Sequence, residues 1–128
     1  FQQYQCVIPE SAGGVAIGAM LDAIAAARSG SFLAVLKRFG EVASPGLLSF
    51  PAPGATLALD FPEQGERTAR LFATLDAIVR EAGGRIYPAK DAHLGGEFFR
   101  ASYPRWAELD ALRDPALLSR FWQRVTQA

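Results

Sequence analysis

Four polar side chains of this sequence occupy positions that a packed core would not require. Gln3 and Gln5 alternate on one face of a first strand, and Lys37 shares a strand face with apolar residues. Lys90 lies in a loop at the exit of the last strand. A few amide and ammonium groups in an otherwise apolar pocket orient a bound small molecule, and an ammonium also stabilises negative charge that develops on a reacting oxygen. The pattern predicts a small-molecule pocket on one face of a sheet.

The same side chains also have ordinary structural explanations. Lys37 could extend its ammonium from an apolar surface into water, and Lys90 could be a solvated loop residue paired with Asp91. The single histidine, His93, has no second histidine, cysteine or paired carboxylate at ligand spacing, so no metal site is predicted. Its expected position is a surface loop beside Asp91. Spacing alone leaves these alternatives open.

Length and composition predict one domain that covers residues 1–128. Thirteen basic and thirteen acidic residues cancel, which gives no electrostatic reason to expect nucleic acid or an anionic membrane as a partner. The single cysteine, Cys6, cannot form an intrachain disulfide and is expected to be a buried strand residue. No apolar run approaches the ~18 residues of a spanning helix. We expect a soluble, cytoplasmic domain, with membrane association only if its substrate is lipid-linked.

The elements that must position these residues follow from apolar periodicity and from Gly and Pro. Strands are predicted at residues 2–8, 31–39, 55–61 and 85–87, with a short additional strand at 47–50. Helices are predicted from an N-cap at Ser11 to Gly30, at 64–82, at 94–102, and from Asp114-Pro115 onward. Right-handed crossovers fold a βαββαβ order into an antiparallel sheet with both long helices on one face. The predicted fold class is α+β, ferredoxin-like, with a helical C-terminal tail.

Five short segments occur in an informative order: Gln3-Tyr4-Gln5, residues 31–40 (SFLAVLKRFG), residues 48–54 (LSFPAPG), residues 59–62 (LDFP) and residues 83–91 (GGRIYPAKD). Together they resemble FAD-linked oxidases of the vanillyl-alcohol oxidase type, and within that superfamily the decaprenylphosphoryl-ribose 2-oxidases and sugar-lactone oxidases. The resemblance runs from about Gln3 to the segment at Asp114-Pro115, which is nearly the whole chain.

The resemblance implies a two-domain flavoenzyme. An N-terminal domain, absent from this chain, would bind FAD, and this C-terminal domain would cover the isoalloxazine ring and hold the substrate. The reaction would oxidise a secondary alcohol of a sugar or polyol-like substrate to a ketone, with hydride passing to the flavin. This chain would be inactive alone. Because it begins within a strand at Phe1, without a methionine, we also expect a segment upstream.

The resemblance also implies roles for individual residues. Lys90 matches a lysine that contacts both flavin and substrate, Gln5 matches a glutamine close to the substrate hydroxyl, and Tyr87 matches an aromatic residue near the lysine and the cofactor. The other matched residues form the wall of the substrate pocket: Gln3, Leu33, Val35, Lys37, Phe39, Thr56 and Ala58. Two of these depart from the mycobacterial type, which has cysteine at the position of Ala58 and asparagine at that of Thr56.

One function of a different class also fits this size and strand order. A stand-alone ferredoxin-like module could bind a small metabolite, or regulate another protein, after dimerising through its sheet. Such a dimer would favour a uniformly apolar sheet face, whereas a flavin-facing pocket needs Gln5, Lys37 and Lys90 on that face. The placement of these three side chains therefore distinguishes the two functions.

Overall fold

The computed structural model of the protein describes residues 1–90 and 93–127. Its strands are β1 (Gln2–Pro9), β2 (Ala34–Phe39), β3 (Gly54–Phe61) and β4 (Arg85–Ile86). Two long helices, α1 (Gly13–Ala26) and α2 (Glu66–Glu81), alternate with them. A 3-10 turn at Pro88–Lys90 leads to three short helices, α3 (Gly96–Ser102), α4 (Trp106–Leu112) and α5 (Arg120–Gln127).

The four strands form one antiparallel sheet in the order β2-β3-β1-β4. Strand β3 lies between the parallel strands β1 and β2, which α1 connects, so the order is that of a split βαβ unit. The predicted ferredoxin-like α+β fold with a helical tail is therefore confirmed. The boundaries of β1, β3 and α2 differ from the predicted ones by one or two residues. Strand β1 is one residue longer than predicted because it includes Pro9, which was expected to end it.

One face of the sheet forms the core against α1 and α2. Tyr4, Cys6 and Ile8 of β1 are buried there, each at most 1% exposed, and they alternate with residues of the opposite face. Burial raises the pKa of the Cys6 thiol to about 12, and its sulfur lies 3.9 Å from the sulfur of Met20. Where β3 begins, Gly54 has φ +143°, and a Cβ there would collide with the carbonyl oxygen of Ile8. The start of β3 thus requires glycine.

Several predicted boundaries were wrong. Helix α1 begins at Gly13 after Ala12, and Ser11 does not cap it. Strand β2 begins at Ala34 instead of residue 31, and residues 47–50 are not a strand in the described part of the chain. Asp114 starts a turn, not a helix, because its carboxylate accepts a hydrogen bond from the Ala116 amide at 2.9 Å.

The tail packs against the end of the sheet. Tyr103, which follows α3, donates its hydroxyl to the Ile86 carbonyl at 2.6 Å, and α5 begins where Ser119 accepts from the Trp122 amide. The indole of Trp122 donates to Asp110 of α4 at 2.6 Å, so α4 and α5 are joined by a side-chain hydrogen bond. Helix α4 was not predicted. Within the described residues, no helix is long and apolar enough to cross a membrane.

Candidate functional site

The sheet face opposite the long helices carries three rows of facing side chains. Strand register aligns Lys37 with Thr56 and Val7, and it aligns Val35 with Ala58 and Gln5. A third row contains Leu33, Asp60 and Gln3. Leu33 precedes the first residue of β2, but it still belongs to this row because the Asp60 amide donates to the Leu33 carbonyl at 3.2 Å. The period-2 alternation of three adjacent strands therefore brings residues that are far apart in sequence onto one surface.

These rows enclose a hollow of about 120 Å³ on the sheet face. The 3-10 turn after β4 adds Lys90 to it, because the turn folds back beside β1. There the Tyr87 amide donates to the Gln5 carbonyl at 2.8 Å. The structure thus brings eight of the ten sequence-predicted site residues to one hollow. Its full lining is Gln3, Gln5, Leu33, Val35, Lys37, Thr56, Ala58, Asp60 and Lys90.

Thr56 fixes the orientation of the Gln5 amide. Its hydroxyl is buried and donates to the Cys6 carbonyl at 2.8 Å, so its oxygen can only accept a second hydrogen bond. The Gln5 side chain supplies that bond from Nε2 at 3.2 Å. Since the nitrogen of the amide faces Thr56, its oxygen Oε1 is left as the group that can accept from a ligand.

Asp60 orients the other glutamine in the same way. The Gln3 Nε2 atom donates to the Asp60 carboxylate at 3.0 Å, and an ionised carboxylate has only acceptors. The Gln3 oxygen is therefore also available as an acceptor. Each glutamine thus directs one N–H of its amide to a side chain of β3. The hollow combines two amide acceptors with one carboxylate.

Both lysines of the chain line this hollow, whereas none of its eleven arginines does. Lys37 is exposed at the rim and Lys90 is half-buried. Among the described residues neither lysine forms an ion pair. The expected pairing of Lys90 with Asp91 lies outside the described residues. The two ammonium groups give the hollow donors that complement its amide acceptors, so a ligand that both donates and accepts hydrogen bonds can be held there.

Two predicted site residues lie beside the hollow instead of lining it. Phe39 and Tyr87 both contact Phe50, which is 4% exposed and was not predicted as a site residue. The ring centroids of Phe50 and Tyr87 are 4.5 Å apart with an interplanar angle of 22°, and those of Phe39 and Phe50 are 5.9 Å apart. These three rings form an aromatic cluster, built from β2, the loop before β3, and the residue after β4.

The sequence-based prediction also missed Asp60. A signal for it was present, because Thr56, Ala58 and Asp60 alternate on β3 and must share a face once Thr56 and Ala58 are assigned to the pocket. Phe50 had no comparable signal. It lies in a loop, and only the tertiary structure brings its ring against Tyr87.

A larger, open groove of about 460 Å³ lies between α1 and β2 on the other side of the sheet. Its walls are mainly Gly, Ala, Ile17 and Leu36, with an exposed ion pair between Arg38 and Glu10 at 2.7 Å on its rim. Its charged lining consists of Glu10 and Arg38, which pair with each other, and Lys37, which also lines the hollow. The smaller hollow is the better candidate site because polar side chains from four segments of the chain point into it.

His93 lies in a loop, as the sequence predicted, but it is less exposed than a surface position would be. Its side chain is 25% exposed and packs against the rings of Tyr4 and Phe72 on the core face. Its Nε2 atom lies 3.1 Å from the carboxylate of Asp76. The histidine is part of the packing around α2, and it lies on the opposite side of the sheet from the hollow.

Comparison with known proteins gives the site a chemical context. No family model matches the chain. Over 120 residues, 90% of the chain, it is 39% identical to decaprenylphosphoryl-beta-D-ribose oxidase of Mycolicibacterium smegmatis. The chain is a relative of part of an FAD-linked oxidase. The resemblance inferred from the five sequence segments is therefore confirmed. An uncharacterised protein in the mprA 5′ region of Streptomyces coelicolor is 44% identical over 85 residues, which are 64% of the chain. The chain spans about a quarter of the length of each of these two relatives.

Proposed function

We propose that this chain is the substrate-binding part of an FAD-dependent oxidoreductase that oxidises a secondary alcohol of a sugar or polyol-like substrate. The observation that carries the proposal is the convergence of Lys90, Lys37, Gln5 and Gln3 on one hollow. The similarity to an oxidase over 90% of the chain supports the same chemistry. The activity would belong to a longer protein in which an N-terminal domain holds most of the FAD.

The hollow fits a shared flavin and substrate site better than a complete flavin pocket. Its volume of about 120 Å³ is well below the roughly 300–1,000 Å³ typical of pockets that enclose a whole ligand. The groups at its edge are nevertheless suited to a ring that gains negative charge on reduction, because Lys90 supplies a cation and Tyr87 an aromatic ring beside it. These two residues would meet the flavin, which when bound supplies the hydride acceptor.

The polar groups of the hollow would bind and orient the alcohol. Its hydroxyl would donate to the Gln5 oxygen and accept from the Lys90 ammonium. In the oxidation the alcohol would lose a hydride to the flavin and its hydroxyl proton to water, and the ammonium would stabilise the negative charge that develops on the oxygen as that proton leaves. Gln3 would offer a further acceptor and Lys37 a further donor, at opposite ends of the rows, to other hydroxyl groups of the ligand. These additional polar groups are the reason for proposing a sugar or polyol substrate.

The proposal does not extend to a lipid-linked ribose, because Thr56 and Ala58 differ from the residues of the mycobacterial type at the floor of the hollow. The hydroxyl of Thr56 is already engaged by Cys6 and Gln5. Ala58 presents only a methyl group. The floor of this hollow therefore recognises ligands mainly through the two glutamines.

A stand-alone module that dimerises through its sheet is the less favoured alternative. Such a dimer would have to bury Gln3, Lys37 and Asp60 against a copy of the same face. Burying charged groups without new partners costs several kcal/mol per ion, in order-of-magnitude terms. The polar rows therefore oppose this arrangement.

The proposal is tested with the longer protein that contains this chain. We expect it to purify with bound FAD, and we expect sugars and polyols to bleach the flavin absorbance when they are added without oxygen. Alcohols with one hydroxyl group serve as controls and should react poorly. A longer protein that binds no flavin, or whose flavin no polyol reduces, would contradict the proposal.

A further inference from the structure

A cluster of three polar side chains connects the segment after Lys90 to the core, on the sheet face opposite the hollow. It consists of Tyr4 in β1, Asp76 in α2 and His93, and we call it the Tyr4–Asp76–His93 cluster. The Tyr4 hydroxyl lies 3.0 Å from Asp76 Oδ1. His93 Nε2 lies 3.1 Å from Asp76 Oδ2. Tyr4 is 1% exposed and the Asp76 side chain 16%, so the contacts are well shielded from water.

The chemistry of the carboxylate determines the direction of both hydrogen bonds. An ionised carboxylate only accepts, so the Tyr4 hydroxyl and His93 Nε2–H both donate to Asp76. Hydrogen bonds to a charged group are about twice as strong as neutral ones. The imidazole is also stacked on the Tyr4 ring, with centroids 6.0 Å apart, and lies 4.9 Å from the Phe72 ring. The position of His93 is thus fixed by a charged acceptor and by two rings.

The position of His93 in turn limits that of Lys90. The two residues are three positions apart and lie on opposite faces of the sheet, His93 in the core and Lys90 at the hollow. Three residues span at most about 10 Å even when fully extended. On its N-terminal side Lys90 is restrained as well, because its amide donates to the Tyr87 carbonyl at 3.1 Å. The lysine is therefore restrained from both directions along the chain.

We propose that Asp76 is a positioning residue that holds Lys90 at the hollow by fixing His93. The site would then depend on a carboxylate on the other face of the sheet, which touches neither the hollow nor any ligand in it. The consequence for catalysis rests on the proposed function, whereas the positioning of Lys90 is a property of this chain alone. The two parts are tested separately.

Hydrogen exchange on the chain tests the positioning. In Asp76→Asn the acceptor for two donors is weakened, and we expect the backbone amides of Lys90 and of residues 93–95 to exchange at least tenfold faster. The amides of β1 and β3 should keep their protection factors. Glu81→Gln removes an exposed carboxylate from the same helix and should change neither set. His93→Gln disturbs the cluster at its more exposed end and provides the same test if Asp76→Asn fails to fold.

Faster exchange at Lys90 and at residues 93–95 in Asp76→Asn or His93→Gln, with β1 and β3 unchanged, supports the proposal. Unchanged exchange at these residues, or an equal increase along the whole chain, overturns it. Neither outcome depends on a flavin, so the exchange experiment stays valid even if the proposed oxidoreductase function is wrong.

A double-mutant cycle in the longer flavoprotein tests whether Asp76 acts through Lys90. We expect Asp76→Asn to lower the rate constant of flavin reduction about fivefold, with a smaller effect on the substrate concentration at half-maximal rate. In a Lys90→Ala background the same change should have no further effect. Equal effects of Asp76→Asn in both backgrounds would overturn the assigned route through Lys90.

Discussion

Replacing Thr56 with valine tests the hydrogen-bond arrangement at the floor of the hollow. Valine has nearly the shape of threonine, so the change removes the hydroxyl without leaving a cavity. The hydroxyl donates to the Cys6 carbonyl at 2.8 Å and accepts from Gln5 at 3.2 Å, and both bonds are lost together. Thr56 is 2% exposed, so water does not readily replace the hydroxyl.

The expected loss of stability follows from these two bonds. Each contributes about 0.5–1.5 kcal/mol net, so Thr56→Val should lower the free energy of unfolding by about 1–3 kcal/mol. About half of that loss should disappear when Gln5 is first replaced by methionine, because only the bond to Cys6 then remains to be broken. Thr56→Ser keeps the hydroxyl and loses one methyl group, which costs about 0.8 kcal/mol.

Urea unfolding of the four proteins of this cycle, followed by circular dichroism, measures the coupling between Gln5 and Thr56. The side-chain amide signals of Gln5 in a nitrogen-15 NMR spectrum report the same contact directly. They should shift in Thr56→Val and stay in place in Thr56→Ser. Additive stability losses together with unshifted Gln5 signals would refute the argument that Thr56 orients this amide.

Three further predictions concern the fold. Gly54→Ala should lower the free energy of unfolding by more than about 2 kcal/mol, because the left-handed φ and the Ile8 carbonyl oppose a Cβ, whereas Gly14→Ala in α1 should be neutral or stabilising in the same urea titration. Cys6, whose pKa burial raises to about 12, should react with a thiol reagent at pH 8 only after denaturant is added, and reaction of the folded chain would contradict its burial. Hydrogen bonds from the Trp122 indole and from Arg113 lower the pKa of Asp110. The stability that the ionised Asp110 contributes is therefore present above the ordinary carboxyl pKa and is lost as the pH falls through the lowered pKa. The difference in melting temperature between the wild type and Asp110→Asn should therefore shrink between pH 6 and pH 3, and a constant difference would contradict this.

The sheet could be predicted from sequence because its two faces differ in chemistry. Tyr4, Cys6 and Ile8 are apolar on one face of β1, and Gln3 and Gln5 are polar on the other. That alternation fixed the facing of the strand and therefore the side on which the helices pack. The same reasoning predicted the face of β2 on which Lys37 lies. The structure agrees, since the register of β2 aligns Lys37 with Thr56 at the hollow.

Local signals failed at two places for different reasons. The pair Asp114-Pro115 is a common helix start, but here the aspartate closes a local turn and α5 begins only after Ser119. The partial burial of His93 was missed because no nearby partner is visible in the sequence. Its partner, Asp76, lies 17 residues earlier in α2, and only the packing of α2 against β1 brings the two together.

The composition of the hollow was only partly accessible for the same reason. Residues on strands could be assigned to the pocket by alternation and by the resemblance to FAD-linked oxidases. Phe50 lies in the loop between β2 and β3, where periodicity gives no information. The stacking of Phe50 on Tyr87 depends on how that loop returns to the sheet.

The most direct test of the central claim is the rate of flavin reduction in the longer protein after Lys90→Ala. If the Lys90 ammonium stabilises the developing negative charge, stopped-flow reduction without oxygen should be at least tenfold slower, a loss of about 1.4 kcal/mol of transition-state stabilisation. Arg70→Ala, which removes an exposed cation from α2, should leave the rate unchanged. A Lys90→Ala protein whose flavin is reduced as fast as in the wild type would contradict the assignment of this hollow as the site of oxidation.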